Sequence, residues 1–124
     1  MKIKTSEATK LQLDWGLAKA LKKRVRYCSI YKAVVFDDCE DNLYLFSHTD
    51  PAVCMGLIEQ YSLAFSECDT SHLYGKPDTL WRVVCRNGSG YGESKVLAQA
   101  VARCVISMKS GEQFEVPDEL GVQL

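Results

Sequence analysis

Ala100-Val101-Ala102-Arg103-Cys104-Val105-Ile106-Ser107-Met108-Lys109, running into Ser110-Gly111-Glu112-Gln113-Phe114-Glu115-Val116-Pro117-Asp118-Glu119-Leu120, is the stretch on which the fold turns. Leu97, Val101, Cys104, Val105 and Met108 recur at mostly three- and four-residue steps, which predicts a helix with one buried face. Gly111 is its expected stop, because glycine adopts the left-handed conformation that closes a helix. A short acidic ending follows. Upstream, Ser94 is the expected N-cap, its hydroxyl accepting from a first-turn N–H. Gly88-Ser89-Gly90-Tyr91-Gly92 reads as a connection, with Asn87-Gly88 suited to a tight turn at positive φ. Thr79-Leu80-Trp81-Arg82-Val83-Val84-Cys85-Arg86 alternates as a strand does, turning Leu80 and Trp81 to different faces.

Towards the N-terminus, Lys2 to Lys4 reads as a short edge strand. Thr9 with Gln12 three residues on is a capping-box pattern, so a helix should start there with Leu13, Leu17, Ala20 and Leu21 on its apolar face. Lys19, Lys22, Lys23 and Arg24 gather at its far end, where the helix dipole favours cations. Residues 25–36 are rich in β-branched and aromatic side chains and predict extended chain. The polar run Asp37-Asp38-Cys39-Glu40-Asp41-Asn42 is then the expected hairpin turn, with residues 43–46 returning. Asp50-Pro51 is an N-cap followed by proline at the first helical position, opening a helix that buries Val53, Leu57, Ile58 and Tyr61. Residues 63–65 predict a brief strand, and residues 69–78, with Gly75 and Pro77, a polar loop. This order of elements predicts a single α+β domain spanning 1–124, a mostly antiparallel sheet packed with about three helices.

The 124 residues, 47% of them apolar, suffice for one core and predict no second domain. Fifteen basic and sixteen acidic side chains give a net charge of -1, so no global field draws in nucleic acid. No apolar run reaches the roughly 20 residues of a membrane span, and an amphiphilic segment follows Met1 where a signal peptide would be apolar, so a cytoplasmic protein is expected. The six cysteines, Cys28, Cys39, Cys54, Cys68, Cys85 and Cys104, sit among apolar neighbours and are read as reduced core residues.

At both ends the chain resembles the NinX-like family of small bacteriophage proteins. The likeness rests on residues 100–120 and on Met1-Lys2-Ile3-Lys4-Thr5-Ser6-Glu7 followed by Leu13-Asp14-Trp15-Gly16-Leu17-Ala18-Lys19-Ala20. Ser47-His48-Thr49-Asp50, Gly56-Leu57-Ile58-Glu59 and Trp81 follow in the same order. Residues 25–45 depart most from it. The resemblance implies a phage origin and hence a host cytoplasm, and it names no reaction.

Few features point to chemistry. The glycine-rich segment 88–92 precedes a helix, as phosphate-binding loops do, but lacks both the Lys-Ser/Thr ending and the dinucleotide spacing. Cys68 and His72 stand four apart, with Cys39, His48 and Cys54 as remote partners, yet no Cys-x-x-Cys pair occurs, so no metal site and no cofactor are expected. Neither His48 nor His72 lies in a motif that implies a catalytic dyad, and the acids of residues 37–41 read as a solvated turn; no enzyme activity is expected.

Binding remains. Arg26, Tyr27, Tyr31 and Lys32, with Asp37 and Asp38 beside them, combine aromatics and both charge signs, as protein interfaces do. The expectation is therefore a non-enzymatic phage accessory protein that binds a protein: a host or defence component, a phage protein or a second copy of itself. The alternative is a nucleic-acid-binding module that uses the basic-aromatic segment 22–32, with Lys22, Lys23, Arg24 and Arg26 on phosphates.

Overall fold

A computed structural model describes residues 1–37, 45–69 and 79–121. Its elements in order are β1 (Lys2–Lys4), a 3-10 turn (Thr5–Glu7), α1 (Lys10–Ala20), β2 (Val25–Cys28), β3 (Ala33–Phe36), α2 (Pro51–Gln60), β4 (Leu63–Asp69), β5 (Thr79–Cys85), β6 (Tyr91–Ser94), α3 (Leu97–Ser110), β7 (Gln113–Glu115) and α4 (Asp118–Gly121). The strands form three small antiparallel sheets, β1-β7, β2-β3 and β4-β5-β6, so the α+β expectation holds.

Helix α3 is the centre. Ala100, Val101, Ala102, Cys104, Val105 and Ile106 are all buried, more of its circumference than one apolar stripe predicts. The cause is packing from several directions: β5 and β6, α1, α2 and β7 all rest on it. Strand β6 comes closest. A Cβ on Gly92 would sit 2.5 Å from the Cys104 amide nitrogen and closer still to the Ala100 carbonyl oxygen. A Cβ on Gly90 would meet the Met108 side chain and, at 2.7 Å, the Cys104 carbonyl. The glycines of segment 88–92 are thus largely accounted for by packing, and most of that segment is strand where a loop was expected. Ser94 ends β6 and does not cap α3: Val96 occupies that position, while the Ser94 hydroxyl accepts from the Val96 N–H at 3.2 Å and donates to Gln99.

Both helix starts expected upstream are present. The Thr9 hydroxyl accepts from Gln12 N–H and the Gln12 side chain accepts from Thr9 N–H, a complete capping box. Asp50 Oδ1 accepts from the Ala52 amide ahead of Pro51. The helix ends are less conventional. The Lys23 N–H reaches the Ala18 carbonyl and the Lys22 N–H that of Lys19, the paired bonds of a Schellman stop, with Lys22 at φ 60 where glycine is usual. Ser62, at φ 52, closes α2 in similar fashion.

Three further expectations are corrected. The run 25–36 is not one strand: it turns at residues 29–32, with Val25 paired to Phe36 and Cys28 to Ala33. The acidic run 38–42 lies outside the described residues, and beyond it the expected return is present, Leu45 bridging Val35 antiparallel and the Phe46 N–H donating to the Val34 carbonyl at 2.9 Å. The strand opening at Leu63 runs seven residues, to Asp69. In α2 only Leu57 is fully buried, Val53, Ile58 and Tyr61 being partly so.

Two substitutions check this packing. Gly92→Ala should destabilise by about 3 kcal/mol or more, because the new methyl meets helix backbone that cannot move aside. Lys22→Gly should stabilise by about 1 kcal/mol by relieving a left-handed lysine. Denaturant midpoints read both, and a neutral Gly92→Ala would mean that β6 does not lie on α3.

Candidate functional site

The β2-β3 hairpin carries the residues singled out for protein binding, and it distributes them over its length. Val25, Val34 and Val35 are buried and anchor it. At its base the Asp37 N–H donates to the Arg24 carbonyl at 2.9 Å, and the Arg26 Nε lies 3.7 Å from Asp37 Oδ1. Both side chains of this pair are half exposed, so it contributes little to stability. Tyr27, opposite Val34, is partly buried. Tyr31 and Lys32 stand at the opposite end, in the turn, with Lys32 left-handed at φ 48. Four residues of strand separate base from tip, about 13 Å at the usual rise per residue. The predicted face therefore divides into a charged base and an apolar tip; Asp38 lies outside the described residues.

The tip adds a residue that sequence reading passed over. Ile30 is 85% exposed, beside Tyr31 at 64%. In sequence Ile30 is one more β-branched residue of the run 25–36; the turn at residues 29–32 is what carries it into solvent. The basic residues Lys22, Lys23 and Arg24 are all exposed between α1 and β2, close to the hairpin base.

A second polar locus is buried. Asp14 on α1 accepts two hydrogen bonds from His48, one from its backbone N–H at 2.8 Å and one from its ring Nδ1 at 2.5 Å. His48 is 2% exposed, and its Nε2 has no partner among the described residues. The pair ties α1 to the segment that leads into α2. No local pattern around Ser47-His48-Thr49-Asp50 shows that Asp14, 34 residues earlier, comes back to meet it.

A third feature is a cleft of about 890 Å³ between β6, the first turns of α3 and the 3-10 turn, with Lys4, Thr5, Tyr91, Ser94, Lys95 and Arg103 on its walls. Arg103 spans it, donating to the Glu93 carbonyl at 2.8 Å and to the Ala8 carbonyl at 3.1 Å. Burial lowers the Arg103 pKa while nearby Glu93 raises it. Those bonds make Arg103 a brace between α3, β6 and the start of α1.

Cys28, Cys54, Cys85 and Cys104 are free thiols. Burial pushes the Cys104 thiol up from the usual 9.0 to about 11; the neighbouring Cys85 adds to the rise and a Cys85 backbone hydrogen bond opposes it. Such a thiol is protonated at neutral pH and is a poor nucleophile. Among the described residues no three His, Cys, Asp or Glu side chains converge as metal ligands would. Compared with known protein families and curated proteins, the chain matches no family model and no curated sequence.

The Cys104 environment generates a pH prediction. The folded chain keeps this proton after the unfolded chain has lost it, so the stabilisation is whole below pH 9.0 and falls as pH rises towards about 11. Denaturant melts across that window should show the decline, with a shallower one in Cys104→Ala. A variant slope equal to the parent's would assign the loss to other groups.

Proposed function

We propose that this chain is a binding module whose partner is a protein, engaged by the tip of the β2-β3 hairpin. The observation that carries the reading is the pair Ile30 and Tyr31, held out to solvent in a four-residue turn where polar residues are the rule. Burying an aliphatic and an aromatic side chain together in a recess supplies the kind of anchor on which interfaces depend. Lys32 beside them and Arg24 and Arg26 towards the base favour a recess with an acidic rim. The buried Val34 and Val35 hold the strands, so little ordering cost falls on the tip at binding. The NinX-like resemblance adds the setting, a phage protein in a host cytoplasm, while the reading of an accessory protein that binds and does not catalyse rests on the lack of catalytic and metal motifs in the sequence.

The competing reading, nucleic-acid binding through Lys22, Lys23, Arg24 and Arg26, is favoured by the exposure of all four. Its signature is affinity that falls steeply with salt.

The two readings separate on one set of variants. A partner recovered from infected-host lysate should lose about 1–3 kcal/mol of affinity with Ile30→Ala and Tyr31→Ala, and less with Lys32→Ala, while folding persists. Labelled DNA and RNA should bind weakly. Loss confined to Lys22→Ala, Lys23→Ala and Arg24→Ala, together with tight salt-sensitive binding of nucleic acid, would overturn the protein-binding reading.

A further inference from the structure

The three-stranded sheet has two edges, and its chain treats them differently. In antiparallel ladders the hydrogen-bonded pairs alternate. The Arg86 N–H donates to the Ser62 carbonyl, so the backbone groups of Ala64 and Ser66 face β5, and those of Leu63, Phe65 and Glu67 face outward from β4. On the other side the Cys85 N–H donates to the Gly90 carbonyl, which turns the groups of Tyr91 and Glu93 outward from β6. That second edge is closed by α3. Ser107 Oγ accepts from the Tyr91 N–H at 3.0 Å and lies 3.1 Å from the Tyr91 carbonyl, and Arg103 donates to the Glu93 carbonyl.

The β4 edge has no such closure among the described residues. Its sequence Leu-Ala-Phe-Ser-Glu-Cys-Asp contains none of the prolines or lysines that commonly blunt an edge. Phe65 is 48% exposed on the face that turns towards α3, touching Trp81 edge-on at 6.1 Å between centroids.

We propose that β4 pairs antiparallel with β4 of a second copy of this chain, about a two-fold axis at Phe65. The outward groups are spaced symmetrically about that residue, so Phe65 meets Phe65 and Leu63 meets Glu67 twice. Six backbone hydrogen bonds form and none of the six residues is left unmatched, which a partner of unrelated register would not achieve. Charge agrees with this axis. Glu67 shares a face with Leu63, and the Lys109 ammonium stands at the Leu63 end, 5.2 Å over the Tyr61 ring. Reversing one copy against the other carries each Glu67 towards the second copy's Lys109. The result is a continuous six-stranded sheet.

Sedimentation equilibrium over a concentration series, with hydrogen exchange read by residue, tests the pairing. The wild-type chain should dimerise, and the Phe65 and Glu67 amides should be protected at high concentration and exchange freely on dilution. Phe65→Lys places two cations at the axis, and Glu67→Pro removes an outward N–H without touching the β5 ladder. Each should weaken the dimer by roughly thirtyfold or more, as loss of a central anchor does, with the melt of the monomer retained. A wild-type chain that stays monomeric throughout, a dimer that survives both variants, or edge amides protected equally at every concentration would each overturn the proposal. Exchange in the wild-type chain decides the matter even where a variant fails to fold.

Discussion

Everything in this fold depends on one helix being covered from nearly all sides. Residues 97–110 would form an ordinary amphipathic helix if they packed on one surface only. They are covered instead by a sheet, two helices and the β7 segment, and the sheet can approach only because Gly90 and Gly92 carry no Cβ where β6 crosses Cys104. Dispersion contacts fall off steeply with distance, so each ångström gained there is felt through the core. Most of the glycine-rich appearance of segment 88–92 follows from that approach, and with it the absence of any phosphate-cradle spacing.

Around this centre the remaining polar groups act as ties between distant parts of the chain. Gln12 Nε2 donates to the buried Leu120 carbonyl, Thr5 Oγ1 to that of Gly111, and the Met1 ammonium to Val116 and Glu115. Arg103 and the Asp14–His48 pair do the same for α3 with β6 and for α1 with the approach to α2. Where such a tie is buried, as at Gln12 with Leu120 and Asp14 with His48, truncating one side leaves the other desolvated and costs more than the bond itself returns. The surfaces proposed for binding lie outside this network, on the hairpin tip and the β4 edge.

What could be read beforehand was local. The Thr9–Gln12 capping box, Asp50-Pro51 and the Gly111 stop each rest on residues three or fewer positions apart, and all three are present. What failed was either non-local or against type. Lys22 and Ser62 close helices in left-handed conformations that no glycine announces, although the strands beyond them begin at Val25 and Leu63 as their sequence pattern predicts. The turn at residues 29–32 contains isoleucine and tyrosine, which raised the strand propensity of the very place where the strand reverses. Asp14 and His48 belong to segments that meet only through the tertiary fold, α1 packing on β3 and the chain before His48 pairing back onto β3 at Leu45 and Phe46. The binding residues were half visible: Tyr31 and Lys32 are exposed in the turn as the aromatic-basic pattern suggested, while Ile30 and the open β4 edge emerge only once the register is known.

The position of α3 along the chain has a consequence for biosynthesis. The helix at the centre of the packing begins at Leu97, and β1 pairs with β7, which follows that helix. On the ribosome, α1, α2, β5 and β6 are therefore synthesised before the helix they pack on exists, and the contacts of α1 with α3 carry high sequence separation. The nascent chain holds α1, the hairpins and their apolar faces without this central helix until residues 97–110 emerge, an interval in which chaperone engagement and premature edge pairing compete with folding.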